Sequence, residues 1–214
     1  MATVRTTVHL LRHGEVFNPD KVLYGRLPGY TLSDLGHAMA RRAQVALAQN
    51  DIVHIVASPL ERAVQTAQPL AQHFGLAIET DANLIEAENV FEGKRVAVGD
   101  GALRNPASWR HLYNPLRPSW GEPYRQLANR MRTAVDQARD TARGHEAVLV
   151  SHQLPIWICR ASYEGRRLAH DPRRRQCSLA SLTSLVFEDD ALDAIIYTEP
   201  SADLLKQASK VSGA

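Results

Sequence analysis

Apolar residues along the chain follow two patterns, and the alternation of these patterns predicts the fold. Short runs rich in Val, Ile and Leu predict strands, and longer segments with apolar residues at helical spacing predict helices. The predicted strands cover residues 4–11, 52–57, 76–79, 147–151, 181–187 and 191–197, and the last two predict a terminal hairpin. The predicted helices cover residues 34–49, 58–75 and 123–143, and a short apolar segment lies at 154–161. Ser33 is expected to cap the first helix, and Ser58 with Glu61 predicts a capping box at the start of the second. Strands that alternate with helices predict a three-layer α/β/α sandwich with a mainly parallel central sheet.

Chain length and local composition predict one domain with an irregular insertion. The 214 residues suffice for a single domain over residues 1–200, followed by a C-terminal tail at 201–214. Between residues 84 and 122 no period is sustained, which predicts a lid or substrate-binding excursion. Its basic residues either contact a second anionic group of a substrate or form a solvated surface: Arg95, Arg104, Arg110, His111 and Arg117.

Charge and composition narrow the class of partner. The formal net charge is +2, so any anion binding has to be local. The basic segment 165–177, with its run Arg173–Arg175, predicts a solvated loop and not a nucleic-acid site, because no aromatic residue interrupts that run to stack on bases. No apolar stretch reaches the ~18 residues of a membrane span. Two cysteines are too few for a disulfide framework. These features favour a cytoplasmic protein without nucleic-acid or membrane partners, and an exposed strand edge is compatible with a homodimer.

Polar motifs follow three predicted strands where those strands end. The motifs are RHG after the first strand, SPLER after the second and SHQ after the strand at 147–151. Ligands of open α/β sheets bind beyond the carboxyl ends of the strands. We therefore expect Arg12, His13, Arg62 and His152 to converge at that edge of the sheet.

Two arginines and two histidines at one edge favour a phosphoryl group as the ligand. Guanidinium groups match phosphate oxygens in bidentate geometry. A neutral imidazole among them is able to attack phosphorus and form a covalent intermediate. Neighbouring arginines disfavour protonation of His13 and keep its lone pair available. The departing alkoxide then needs a proton, which a nearby carboxylic acid would supply.

Four motifs resemble a known family. The segments LLRHGE (10–15), SPLERAVQTA (58–67), LIEAENVFEG (84–93) and VSHQLP (150–155) are similar to the four signatures of the histidine phosphatase superfamily, in its phosphoglycerate mutase-like branch. The resemblance implies that His13 is the phosphorylated nucleophile and that Arg12, Arg62 and His152 bind the phosphoryl group.

The same resemblance implies a proton donor in the third segment and substrate contacts in the first loop. Glu86 stands two residues after Leu84, as in the family pattern, but the chain is one residue short before FEG, so Glu88 stays a second candidate. Asn18, Tyr24 and Gly25 fall where the family's first loop contacts substrate, with the Asn one residue early.

Each candidate residue has a structural alternative. His13 is otherwise a packed core histidine, Arg12 the partner of a carboxylate, Arg62 a surface residue and His152 a residue at a helix start. The chain lacks the motifs of serine hydrolases, phosphate-loop nucleotide-binding proteins, zinc proteases and cysteine phosphatases. The sequence therefore predicts a phosphomonoesterase that needs neither metal nor cofactor and acts on a small phosphorylated substrate. A phosphoglycerate mutase and an inactive phosphate-binding module are the alternatives.

Overall fold

Three of the four strands in the parallel part of the sheet have apolar residues on both faces. The computed structural model describes residues 3–94 and 121–208. In these ranges the strands are Arg5–Arg12 (β1), Ile52–Ala57 (β2), Glu79–Thr80 (β3), Glu146–Ser151 (β4), Leu182–Glu188 (β5) and Ala191–Thr198 (β6). Their order in the sheet is β3-β2-β4-β1-β5-β6. The first four of these strands pair in parallel, while β5 and β6 pair antiparallel. The sheet is therefore mixed, with the predicted C-terminal hairpin along one edge.

Helices cover both faces of the sheet. They are Asp34–Leu47 (α1), Glu61–Phe74 (α2), Tyr124–Thr141 (α3) and Gln153–Tyr163 (α4). One apolar cluster joins α3 and α4 to the face that carries Val8 and Leu10 of β1. A second cluster joins α1 and α2 to the opposite face, which carries Leu11. Side chains on the two faces of β1 thus pack against both helix layers, and the predicted three-layer α/β architecture is confirmed.

The starts of two helices test the capping predictions. Ser33 caps α1 as predicted, since its hydroxyl accepts a hydrogen bond from the backbone N–H of Gly36. The predicted capping box at Ser58 is wrong, because α2 begins at Glu61 and its N-cap residue Leu60 makes no side-chain cap. The Ser58 hydroxyl instead lies 2.8 Å from Nε2 of His152. A contact between strand ends has replaced a local helix cap.

Other boundaries differ by a few residues. The strand predicted at 76–79 is only the two-residue β3. Leu76 and Ile78 pack against the apolar cluster under α2 without forming a strand. Residues 201–208 form turns, and the buried Ser201 donates a hydrogen bond to the Met39 carbonyl. In the described ranges no helix combines the length and apolar character needed to span a membrane.

The register of the central strands brings their carboxyl ends to one edge. Arg12 at the end of β1 pairs with Ser151 at the end of β4, and Ala57 at the end of β2 pairs with Val150. The residues that follow these ends continue the pairing, since the His13 N–H donates to the Ser151 carbonyl at 3.1 Å. His13 and His152 therefore follow neighbouring strands at the same level of the sheet, and their ring centroids lie 5.1 Å apart.

Candidate phosphoryl-binding site

The imidazole of His13 is fixed by its own backbone. Nδ1 lies 2.7 Å from the Gly14 carbonyl oxygen, which can only accept, so the neutral ring carries its proton on Nδ1. Nε2 then holds the lone pair, and it is buried without a hydrogen-bond partner among the described residues. The segment after His13 also packs closely on the start of α1, because a Cβ at Gly14 would meet the Gly36 carbonyl oxygen at 2.5 Å. His13 presents an unpaired nucleophilic nitrogen.

Burial and positive charge keep His13 neutral. Its side chain is fully buried. Desolvation lowers the pKa of His13 well below 6.5, and the charges of Arg62 and Arg12 lower it further. The hydrogen bond to Gly14 acts in the opposite direction and is the smallest of the four effects. The lone pair is consequently available at neutral pH.

The two predicted phosphate-binding arginines are held by backbone carbonyls. Arg12 donates to the Cys177 carbonyl at 2.7 Å, and Arg62 donates to the Gly25 carbonyl at 2.6 Å. Neither forms an ion pair with a carboxylate in the part of the chain that the structure describes. Each also has a buried Nε that lacks a partner within the same ranges. Both guanidinium groups keep charge and donors for an anion.

His152 connects the end of β4 to the same cluster. Its Nε2 is 2.8 Å from the Ser58 hydroxyl and its Nδ1 is 3.4 Å from Nη2 of Arg62. Desolvation is the largest cause that lowers the pKa of His152 well below 6.5, followed by the charge of Arg62. The structure thus brings together the four residues that the strand-end motifs predict.

The two candidate proton donors lie in contrasting surroundings. Glu86 is only 3 % exposed, and one carboxyl oxygen accepts from the Ala87 N–H at 2.8 Å. Its Oε2 is buried and unpartnered among the described residues. Desolvation raises the pKa of Glu86, against smaller opposing effects of the Ala87 hydrogen bond and the nearby arginines. The side chain of Glu88 is 70 % exposed and pairs with Arg26 at 2.9 Å. Environment favours Glu86 as a carboxyl that holds a proton.

An ion-pair clamp positions the backbone around Glu86. Arg26 donates from Nε to the Glu86 carbonyl at 2.6 Å and pairs with the buried Glu122 at 3.2 Å. Glu122 also accepts two hydrogen bonds from Arg130 of α3, at 2.8 and 2.9 Å. The clamp therefore ties the first loop, the Glu86 segment and α3 together. Sequence reasoning missed it because no periodic pattern joins these three positions.

The three first-loop candidates occupy different positions. Asn18 uses both ends of its amide on the backbone of Val22, at 2.8 and 3.1 Å, so its side chain stabilises its own loop. Tyr24 is buried beneath the guanidinium of Arg62, 4.8 Å from the ring centroid. Gly25 has a φ of +40°, and a Cβ there would meet the Glu92 carboxylate at 2.2 Å. Tyr24 and Gly25 support Arg62 directly, whereas Asn18 shapes the loop.

A pocket with a volume of about 120 Å³ lies beside Glu86, between Tyr124, Leu154 and Arg175. Arg175 was predicted to lie in a solvated loop, and that prediction is wrong. Its side chain is partly buried, donates to Nε2 of His170 at 2.8 Å and lies 3.4 Å from the Gln153 amide oxygen. Its neighbours Arg173 and Arg174 are exposed, as predicted. The basic residues predicted between 95 and 117 lie outside the described residues.

The α/β fold and the cluster of histidines, arginines and a buried carboxyl define a protein with a cationic site suited to a phosphoryl group. Residues 8–198 match the family model of the histidine phosphatase superfamily (branch 1), and the chain belongs to that superfamily. Members of the superfamily are phosphatases or mutases. The resemblance noted in the four sequence motifs is thereby confirmed.

Individual relatives include both kinds of enzyme. An uncharacterized protein of Mycobacterium tuberculosis (strain ATCC 25618 / H37Rv) is 56 % identical over 197 residues, which cover 92 % of this chain and 98 % of that protein. A probable phosphoglycerate mutase GpmB of Yersinia pestis (strain Pestoides F) is 30 % identical, covering 81 % of this chain and 82 % of the relative. The solved structure of a mycobacterial glucosyl-3-phosphoglycerate phosphatase matches with a TM-score of 0.71 and 25 % identity, over 91 % of this chain and 96 % of that one. Bacillus stearothermophilus YhfR, at 23 % identity, shares the fold with a TM-score of 0.76, over 88 % and 95 % of the two chains.

Proposed function

We propose that the protein is a metal-independent phosphomonoester hydrolase that acts on a small phosphorylated metabolite through a phosphohistidine intermediate. One observation carries the proposal. In the described ranges, four of the buried polar side-chain atoms without a partner belong to the predicted site: Nε of Arg12, Nε2 of His13, Nε of Arg62 and Oε2 of Glu86. Buried polar atoms are normally paired, so such a concentration is typical of a site that a polar ligand completes. A phosphoryl group offers acceptors to the arginines and an electrophilic phosphorus to His13.

In the first step His13 Nε2 donates its lone pair to phosphorus, and the bond between phosphorus and the ester oxygen breaks. The departing oxygen takes the proton of Glu86, so the alcohol leaves uncharged. Arg12 and Arg62 balance the charge of the phosphoryl oxygens. The positive charge that develops on the His13 ring is shared with the Gly14 carbonyl, which accepts from Nδ1. The phosphoryl group is now bonded to Nε2.

In the second step a water molecule attacks phosphorus and the bond to Nε2 breaks. The Glu86 carboxylate takes a proton from that water, and His13 recovers its lone pair as inorganic phosphate leaves. Glu86 and His13 thereby return to their starting protonation states. Arginines supply the charge stabilisation in both steps, which is why the chemistry requires no metal.

His152 fits this scheme as a donor to a phosphoryl oxygen. A guanidinium can only donate, so Nδ1 of His152 accepts from Nη2 of Arg62 at 3.4 Å and its Nε2–H donates to the Ser58 hydroxyl at 2.8 Å. A phosphoryl oxygen that takes the Nη2 donor of Arg62 leaves Nδ1 free to take up the ring proton, with the Ser58 hydroxyl turning to donate to Nε2.

The mutase is the second candidate function, supported by the 30 % identical probable phosphoglycerate mutase. It shares the first step and differs in returning the phosphoryl group to a second hydroxyl. Isomerisation of 3-phosphoglycerate in the presence of a bisphosphorylated primer distinguishes the two. We expect release of inorganic phosphate to exceed isomerisation, and dominant isomerisation would reverse that ranking.

The decisive experiment is hydrolysis of p-nitrophenyl phosphate in the presence of EDTA, combined with intact-mass analysis of enzyme that has been quenched without acid. We expect turnover, and a phosphorylated species that maps to His13. The variant His13→Ala should lose both, while His73→Ala, which alters an exposed histidine at the end of α2, should keep both. Turnover that survives in His13→Ala, or none in the wild type, would refute the proposal.

A further inference from the structure

In the described ranges, the side-chain partners of the Arg175 guanidinium are neutral groups. Its Nε donates to Nε2 of His170 at 2.8 Å, and its Nη1 lies 3.4 Å from the Gln153 amide oxygen. It also shares a hydrogen bond with the Tyr124 side chain. Among residues 3–94 and 121–208, no carboxylate forms an ion pair with it.

Partial burial without an ion-pair partner in the described ranges distinguishes Arg175 from the basic residues around it. In the same region Arg160 and Arg166 both pair with Glu164 at 2.8 Å, and Arg173 pairs with Asp171 at 3.0 Å. An arginine that only completes a surface either has such an ion pair or is exposed to water, as the neighbouring Arg174 is. Arg175 is instead partly buried and desolvated, which lowers the pKa of its guanidinium. Keeping an unpaired charge away from water is unfavourable unless an anion meets it there.

The supports of Arg175 are themselves fixed. His170 directs Nδ1–H to the Leu168 carbonyl at 2.6 Å, so Nε2 is its acceptor and faces Arg175. The His170 ring also packs between Tyr124 and Trp157, with centroid distances of 5.6 and 5.7 Å. The guanidinium is therefore pre-oriented, and little side-chain entropy remains to be lost when a ligand binds.

The location of Arg175 connects it to the leaving alcohol. Arg175 and Glu86 line the same pocket. The Arg175 charge acts on the Glu86 carboxyl. In the proposed reaction Glu86 protonates the departing oxygen, so the alcohol part of the substrate lies next to Glu86. A group on that alcohol would lie within the pocket that Arg175 borders.

Charge balance indicates what that group is. Arg12, Arg62 and Arg175 bring three positive charges without ion-pair partners in the described ranges, while His13 and His152 are neutral. A phosphate monoester dianion offsets two of these charges when Glu86 holds its proton. Among these groups one positive charge remains, on Arg175 at the alcohol side of the site.

We infer that Arg175 is a specificity-determining residue that binds an acidic substituent, a carboxylate or a second phosphate, on the alcohol part of a phosphomonoester substrate. The inference rests on the proposed hydrolase activity for the orientation of the substrate. It assigns to this chain the class of phosphomonoesters with a further anionic group a few bonds from the ester oxygen. Tyr124, His170 and Gln153 are positioning residues that orient Arg175.

A matched pair of probes tests this assignment. 3-Phosphoglycerate and glycerol 3-phosphate differ only in a carboxylate that replaces a hydroxymethyl group. Release of inorganic phosphate is measured for both with the wild type and with Arg175→Gln. The control is Arg174→Gln, which removes the same charge from an adjacent exposed position. Arg175→Lys retains the charge without the fork geometry and should keep part of the preference.

We expect the wild type to favour the carboxylate probe in kcat/KM. Arg175→Gln should lower kcat/KM for 3-phosphoglycerate about 10- to 100-fold, mainly through KM, and change glycerol 3-phosphate less than about threefold. Arg174→Gln should change neither appreciably. Equal losses on both probes would show a structural role only, and absence of a carboxylate preference in the wild type would overturn the inference.

Binding separates this inference from the proposed function. Calorimetric titration of both probes into His13→Ala needs no turnover and reports the carboxylate preference directly, and Arg175→Gln in that background should abolish it. If the wild type hydrolyses no phosphomonoester but this preference is seen, the hydrolase proposal fails and the role of Arg175 stands. If hydrolysis occurs and the preference is absent, only the role of Arg175 fails.

Discussion

The contrast between Glu86 and Glu88 gives the sharpest test of the chemistry. Glu86→Gln keeps the shape of the side chain and an oxygen that can accept from the Ala87 N–H, but it removes the transferable proton. General acid catalysis contributes about 10²- to 10⁴-fold. We therefore expect kcat/KM for an alkyl phosphate to fall by a factor in that range. An aryl phosphate such as p-nitrophenyl phosphate has a leaving group that departs without a proton, so its first step should be slowed far less.

The second step makes the same variant informative in a different way. Without the Glu86 carboxylate no base activates water, so the phosphohistidine should accumulate. Rapid mixing with p-nitrophenyl phosphate should then show a burst of about one nitrophenolate per active site, followed by slow turnover. Intact-mass analysis during the slow phase should find the phosphorylated enzyme.

Glu88→Gln is the matched control because it makes the same chemical change two residues away. Its side chain is mostly exposed and its pair with Arg26 is a surface interaction, worth about 0–1 kcal/mol. We expect its kcat/KM to stay within about threefold of the wild type for both esters, since ~0.6 kcal/mol corresponds to that factor. A loss in Glu88→Gln equal to that in Glu86→Gln, or wild-type hydrolysis of alkyl phosphates by Glu86→Gln, would refute the assignment.

Three further predictions concern pH and stability. Activity needs a neutral His13 and a protonated Glu86. For an alkyl phosphate, kcat/KM should therefore fall on the acid side only below pH 6.5, where His13 is protonated, and on the alkaline side as Glu86 loses its proton. The pH profile of Glu86→Gln should lack the alkaline limb. Glu122→Gln should lower the free energy of unfolding in urea by about 3 kcal/mol, because two buried pairs with arginines are broken, whereas Glu88→Gln should change it by less than ~1 kcal/mol. Gly14→Ala places a Cβ 2.5 Å from the Gly36 carbonyl oxygen, so thermal denaturation should show a loss of about 2 kcal/mol together with reduced turnover, and an unchanged melting temperature would contradict this close approach.

Sequence alone predicted those parts of the site that follow directly from strands. His13 and His152 come immediately after buried strands, and parallel strands present their carboxyl ends at one edge. A hydrophobic pattern that locates the strand also locates the residue after it. Arg62 lies in the first turn of α2, only a few residues beyond β2, so its position follows from the same reasoning.

Contacts between distant segments were not predictable in this way. The Ser58 hydroxyl had two plausible partners, a local helix N–H and a side chain 94 positions away, and the spacing of residues favours the local one. The structure uses the distant partner because β2 and β4 are neighbours in the sheet. The Arg26–Glu122–Arg130 clamp depends likewise on how a loop, a turn and a helix meet, which periodicity does not encode.

The same reasoning explains why Arg175 appeared to be an ordinary surface residue. A run of three arginines in a polar segment is indistinguishable by composition from a solvated loop, and for Arg173 and Arg174 the prediction is correct. Arg175 differs from these two arginines in its partners, which are Gln153 of α4 and His170 of the loop between α4 and Arg175. Such partners are 5 and 22 positions away and carry no charge, so no charge pattern indicates them.

The arginines of the site share a mode of support that has a functional consequence. Arg12 and Arg62 are oriented by backbone carbonyls, and Arg175 by an imidazole, an amide and a phenol. A carboxylate partner would orient a guanidinium equally well but would neutralise the charge that a phosphate ester needs. Neutral acceptors fix the geometry and leave the charge for the ligand, at the expense of stability in the absence of the ligand. Inorganic phosphate should consequently raise the melting temperature of the wild type, and raise it less in Arg62→Gln. An equal rise in both proteins would show that phosphate binds elsewhere.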